Sequence, residues 1–212
     1  LYLTALATAP ERPLAQALAG QVYLFDPSAP DRARHRYEEA LALAEGRPAL
    51  QCLSHAQLGR IAAEEGDVYR AVLHLEAAVR LDPQNAAARE ELAAVLAQVG
   101  YWYMAHAGEP RRAVELLERA ETLDPVSGGA AHLRGLALQK LGETGEAMDA
   151  FREAIRRDPR LVPAHLELAR LYLESGDPES ALRQARHALT IGPSEEIREL
   201  IAEIERRTRP PR

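Results

Sequence analysis

GLALQKLGETGEAMDAFREAIRRDP, residues 135–159, reads as two helices folded back on one another. Small residues at Gly135 and Ala147 let two helices cross closely, where bulky side chains would hold them apart. Gly142 supplies the backbone freedom that ends the first helix. Pro159 stops the second, because it lacks an N–H and restricts the residue before it. With Leu138, Phe151 and Ala154 between these points, the stretch is one helix–turn–helix–turn unit.

The unit recurs on both sides. Leu81-Asp82-Pro83, Leu123-Asp124-Pro125, Arg157-Asp158-Pro159 and Ile191-Gly192-Pro193 are separated by 42, 34 and 34 residues. Leu58-Gly59, Ala71, Leu75, Ala78 and Pro83 carry the pattern upstream, and Leu168-Ala169, Tyr172, Gly176, Ala181, Ala188 and Pro193 carry it downstream. Gly66, Gly108, Gly142 and Gly176 stand at the ends of the expected first helices. This period and these positions resemble the tetratricopeptide repeat family. The resemblance implies an all-α fold, an α-solenoid of helical hairpins in a right-handed superhelix whose first helices line a concave face. Arg134 departs from it by standing where a core leucine is usual.

Residues 52–193 hold the repeats, divided as 52–85, 86–127, 128–161 and 162–193. Residues 1–51 read as a degenerate N-terminal hairpin, Leu14 to Phe25 and Arg32 to Glu45, joined through Asp26-Pro27-Ser28-Ala29-Pro30. Residues 194–212 read as a capping helix with a frayed tail: Ser194 caps it, and Ile197, Leu200, Ile201 and Ile204 form its apolar stripe. The chain begins at Leu1 with residues that look like the inside of a helix, as expected of a fragment or of a protein that has lost a leader.

The 86–127 unit contains eight extra residues. Between Ala88 and Ala107 only Gly100 is a strong breaker, so its first helix is expected to run about two turns longer than its neighbours, with Tyr101, Trp102, Tyr103 and Met104 in the extension. That cluster is either a thicker local core or a contact surface projecting past the stack.

Composition narrows the function. Of the 212 residues 47% are hydrophobic and 5% aromatic, with 26 basic against 32 acidic residues and a net charge of -6. Interleaved signs on an acidic chain give no support for nucleic-acid binding. Lys140 is the only lysine, an arginine bias that points to a GC-rich or thermophilic bacterial source. No apolar run reaches the roughly 20 residues that a membrane-spanning helix needs. Cys52 stands alone, so no intrachain disulfide and no cysteine-based zinc site are expected.

The seven histidines, His35, His55, His74, His106, His132, His165 and His187, show no metal-ligand spacing, and no phosphate-cradling glycine loop exists. Neither a cofactor nor a metal nor an enzymatic activity is expected. The resemblance instead assigns a groove, to which Arg60, Glu64, His132, Leu136, Lys140, Glu167, Arg170 and Glu174 contribute, with Trp102 and His106 from the aromatic segment. This mixed surface suits an extended peptide or a partner helix. A subgroup of the family grips C-terminal carboxylates with asparagine and lysine, and a chain with Asn85 as its only asparagine and Lys140 as its only lysine lacks that set.

The expected function is a protein–protein interaction module, an adaptor or scaffold binding a protein or peptide. A regulatory or substrate-docking region of a larger enzyme or secretion or assembly component, and a self-assembling homo-oligomer, stay open beside it. So does the compartment, cytoplasmic or periplasmic.

Overall fold

A computed structural model describes residues 9, 12–23 and 30–208, and all regular structure among them is helical. Helix α1 (Pro13–Tyr23) pairs with α2 (Pro30–Ala42), and α3 (Pro48–Glu64) with α4 (Val68–Leu81). Helix α5 (Ala86–Trp102) continues as a π-helix (Tyr103–Ala107), which packs on α6 (Pro110–Leu123). Then α7 (Gly129–Leu141) pairs with α8 (Thr144–Arg157), α9 (Val162–Glu174) with α10 (Pro178–Ile191), and α11 (Glu195–Thr208) closes on α10. This is a helix-pair solenoid architecture in two compact units, Leu1–Leu96 and Ala97–Arg212, the division falling inside α5. The expected first residues, the Asp26–Ala29 turn and the tail beyond Thr208 lie outside the described residues.

The hairpin crossings are built on glycine. A Cβ on Gly20 would approach the Tyr37 ring to 2.9 Å, one on Gly59 the Leu75 side chain to 2.6 Å, one on Gly100 Leu117 to 2.9 Å, and one on Gly135 the Phe151 ring to 2.5 Å. Each glycine on a first helix therefore makes room for a large, fully buried residue on the second, whose burial contributes about 1.5–3 kcal/mol. The last hairpin uses two small residues instead, Ala169 and Ala185, both fully buried, and α11 adds Ile197, Leu200 and Ile204 to their cluster.

The Asp-Pro triplets close the second helices by a common device. Asp82, Asp124 and Asp158 each donate their backbone N–H into the helix, to Ala78, Ala120 and Ala154 respectively. The proline that follows has no N–H to offer, so each carboxylate accepts from the residue after it, Gln84 at 3.0 Å, Val126 at 3.3 Å and Arg160 at 2.9 Å. Gly192 has no side chain for this, and the connection ends instead on Ser194, whose hydroxyl caps α11 by accepting from the Ile197 N–H in its first turn at 3.3 Å.

Arg134 replaces a core leucine without an unpaired charge. Its Nε donates to Glu121 at 2.6 Å, and the other Glu121 oxygen lies 3.0 Å from Arg157, which also reaches Glu153 at 2.6 Å. Glu153 accepts from both Arg156 and Arg157, and these bonds pull its carboxyl down to about 2.

The extra residues of the long unit do not lie where the sequence suggested. From Pro83 to Gly100 there are seven more residues than from Pro125 to Gly135 or from Pro159 to Ala169. From Gly100 to Leu117 there is one more than from Gly59 to Leu75 or Gly135 to Phe151, and the remaining spacing to Pro125 is unchanged. The extension therefore precedes Gly100, where seven residues are close to two α-helical turns and preserve the buried face. Gly100 is a buried crossing residue inside that helix and breaks nothing. Tyr101 to Met104 follow the crossing and are not part of the extension.

Candidate functional site

In the regular hairpins the residue after the crossing is partly exposed and the next is buried: Arg60 then Ile61, Leu136 then Ala137, Arg170 then Leu171. In the long unit this position is filled twice. Tyr101 and Trp102 are 47% and 53% exposed, and burial resumes only at half-buried Tyr103 and buried Met104. The cause is the winding of Tyr103–Ala107. A π-helix closes i→i+5 bonds, so one additional residue enters the turn while the hydrogen-bond ladder continues. Gly108 ends it with a left-handed φ of 67° and donates to the Tyr103 carbonyl.

The doubled position makes an aromatic surface. The rings of Trp102 and His106 stack at 6.3 Å and 19°, and Tyr101 meets His106 edge-on at 6.4 Å. Tyr103 packs edge-on against Trp102 at 5.3 Å and is covered by the Arg112 guanidinium at 4.5 Å. By the same register His106 corresponds to Glu64, Lys140 and Glu174, so aromatic groups occupy both positions that are otherwise charged or aliphatic. Flat apolar faces with a phenol O–H and an indole N–H at their edges suit a polypeptide, whose carbonyls accept while its side chains stack.

The other expected residues are placed less uniformly. Arg60 is held on its own helix, by Glu64 at 2.7 Å and Gln57 at 3.0 Å. His132 is partly buried and turns its Nε2 inward: its ring lies 5.8 Å from that of Phe151, and the Nε2 has no hydrogen-bond partner among the described residues. Burial lowers its pKa below the ordinary histidine value. Leu136 packs partly against the Phe151 cluster, while Lys140 and Glu174 are exposed at the ends of their helices.

Arg170 is engaged at both ends. Glu167 and Glu196 each lie 2.5 Å from its guanidinium, and with Glu199, Leu200 and Glu203 of α11 it lines a cavity of about 460 Å³. The capping helix thus supplies every lining residue of this surface except Arg170. Sequence reading missed Glu196 here and left Tyr101 out of the binding set, because the one-residue excess after Gly100 is visible only once Gly100 is paired with Leu117.

Among the described residues no group of three or more His, Cys, Asp or Glu could hold a metal ion, and no helix is long and apolar enough to cross a membrane. Cys52 is buried, its thiol 3.4 Å from the Ala78 carbonyl and accepting from Asn85 at 3.4 Å.

Three family models described as tetratricopeptide repeat match the chain, over residues 54–85, 106–162 and 138–204. The inactive TPR repeat-containing thioredoxin TTL3 of Arabidopsis thaliana is 38% identical over 76 residues, which are 36% of this chain and 11% of that protein. The chain thus matches about a tenth of the length of this curated relative. Among solved structures, YrrB, described as a TPR protein with an unusual peptide-binding site, superposes with a TM-score of 0.64 at 20% identity, covering 97% of each chain. The first TPR of Spaghetti (RPAP3), bound to the HSP90 peptide SRMEEVD, superposes with a TM-score of 0.53 at 18% identity over 56% of this chain and 96% of that one. At these identities the structural likeness concerns the fold.

Proposed function

Because the chain belongs to the tetratricopeptide repeat family, we propose that it is a polypeptide-binding adaptor whose principal contact is the exposed Tyr101–Trp102 pair with His106. The observation that carries this reading is the doubled position after Gly100. Core packing needs one residue there, as Arg60, Leu136 and Arg170 show, and the fold accommodates a second aromatic by a change of helix type. Exposed tyrosine and tryptophan are the residues that dominate binding energy at protein interfaces. The peptide-binding relatives support the ligand class.

The ligand is not a carboxylate tail gripped by asparagine and lysine. Asn85 accepts from the Ala88 N–H at 3.0 Å as the cap of α5 and donates to Cys52. A second reading, a docking segment of a longer protein, is favoured by the curated relative, of which this module matches only 11%.

Trp102 is the sole tryptophan, so intrinsic emission reports on the site directly. Peptides selected from a random library on the intact chain should quench or shift that emission. Their affinity should fall about tenfold or more in Tyr101→Ala, as expected for loss of an aromatic anchor. Selected peptides that leave the emission unchanged and bind Tyr101→Ala with undiminished affinity would refute the assignment.

A further inference from the structure

We propose a second docking surface, in the Leu1–Leu96 unit, that takes an amphipathic helix of a partner protein with a basic residue beside its apolar ridge. Helices α2 and α4 flank α3, and between them lies a furrow of about 320 Å³ floored by Leu58 and Ile61 and walled by Arg34, Glu38, Tyr69 and Leu73. Tyr69 is 78% exposed and Leu73 51% exposed. Spaced i, i+4 on α4, they form one apolar line along the furrow.

The repeat provides an internal control for that line. Counting from the large or small residue that meets the crossing, the two positions are Asp31 and His35 in α2, Arg111 and Glu115 in α6, Gly145 and Asp149 in α8, and Glu179 and Arg183 in α10. Four of five second helices place polar residues or glycine there, so the fold does not require Tyr69 or Leu73. Solvent exposure of two large apolar groups at positions otherwise polar or glycine is the mark of a contact surface.

Shape and charge select the occupant. A furrow between two helices over a third accepts the side-chain ridge of another helix. At the rim Arg34 is engaged by Asp31 and by Glu65 at 3.1 Å, and Arg70 by Asp67 at 3.3 Å. Glu38 is exposed and forms no ion pair among the described residues, and His74, the furrow group that feels its charge, is kept below the ordinary histidine pKa chiefly by burial. The unmatched charge is negative, so the incoming ridge carries arginine or lysine opposite Glu38.

The probe is a fluorescein-labelled synthetic helical peptide with leucines at i, i+4 and i+7 and one arginine beside them, titrated by anisotropy against the intact chain. Leu73→Asp should weaken binding about tenfold or more with an unchanged far-UV spectrum, because α8 carries aspartate at the same register. Glu38→Arg should weaken the arginine peptide and strengthen its glutamate counterpart, and the Trp102 emission should stay constant throughout. The proposal is overturned by equal binding to Leu73→Asp, by an affinity indifferent to the Glu38 charge, or by a concentration-dependent dimer abolished in Leu73→Asp, which would give the furrow to a second copy.

Discussion

Gly135 and Phe151 are a matched pair: a Cβ on the glycine would come within 2.5 Å of the ring, and the ring is fully buried because that Cβ is absent. The same relationship holds Gly59 to Leu75 and Gly100 to Leu117, so the hairpins are fixed by one contact repeated along the chain.

Gly135→Leu should therefore destabilise by about 1–3 kcal/mol or more, through overpacking. Phe151→Ala should cost about 3–5 kcal/mol, through the cavity it leaves. Urea midpoints test both. A midpoint unchanged in Gly135→Leu would mean that the two helices are free to separate there.

Removing Trp102 altogether should restore the regular spacing from Gly100 to Leu117 and convert the π-helix to α-helix, since the residue that the wider turn absorbs is gone. The deletion protein should fold with stability within about 1 kcal/mol of Trp102→Ala, a surface-sized effect. It should also lose binding of the library peptides. Unfolding on deletion, with Trp102→Ala folded, would show that the segment needs its extra residue for packing.

Arg134→Leu should be neutral or stabilising, because leucine suits the position and Glu121 keeps Arg157. Glu121→Ala leaves two partly buried guanidinium groups without their shared carboxylate. It should cost about 2 kcal/mol, below the ~3–5 kcal/mol of a fully buried pair. Thermal denaturation of the two variants should move in opposite directions or leave only the second lowered.

The folded protein should lose stability as the pH falls below 6.5. Burial lowers the pKa of His132, so the folded state binds fewer protons than the unfolded chain from the ordinary value downwards to the depressed one. His55 and His74, lowered chiefly by burial, act in the same direction. His132→Leu should flatten part of the decline between pH 7.5 and 5. Glu153 contributes in a separate window: its stabilisation is present above 4.5 and is lost only as the pH falls towards about 2. An unchanged slope in His132→Leu would mean that the imidazole is solvated.

Truncation before Ser194 should bare the cluster of Leu166, Ala169, Ala181, Ala185 and Ala188 that Ile197, Leu200 and Ile204 cover. Aggregation on removal of α11, followed by light scattering, is the expected result, and a soluble, equally stable product would contradict it. Arg170→Glu is not the innocuous surface change that its groove position suggests, since it would set a third carboxylate between Glu167 and Glu196.

What the sequence by itself determined is the repeat. Glycine, proline and small-residue positions recur at fixed intervals because each is imposed by local backbone geometry or by a single crossing contact, and such constraints are written at the residue that bears them. The helices, their order and the capping helix were legible for that reason. Tertiary structure alone decided how eight additional residues were shared between an α-helical extension and one π turn, since both divisions have the same length and only the contact between Gly100 and Leu117 distinguishes them. It also decided that His132 points inward, that Arg134 is paired from another helix, and that Arg170 is claimed by the cap, because each depends on which side chain a neighbouring helix brings within a few ångströms.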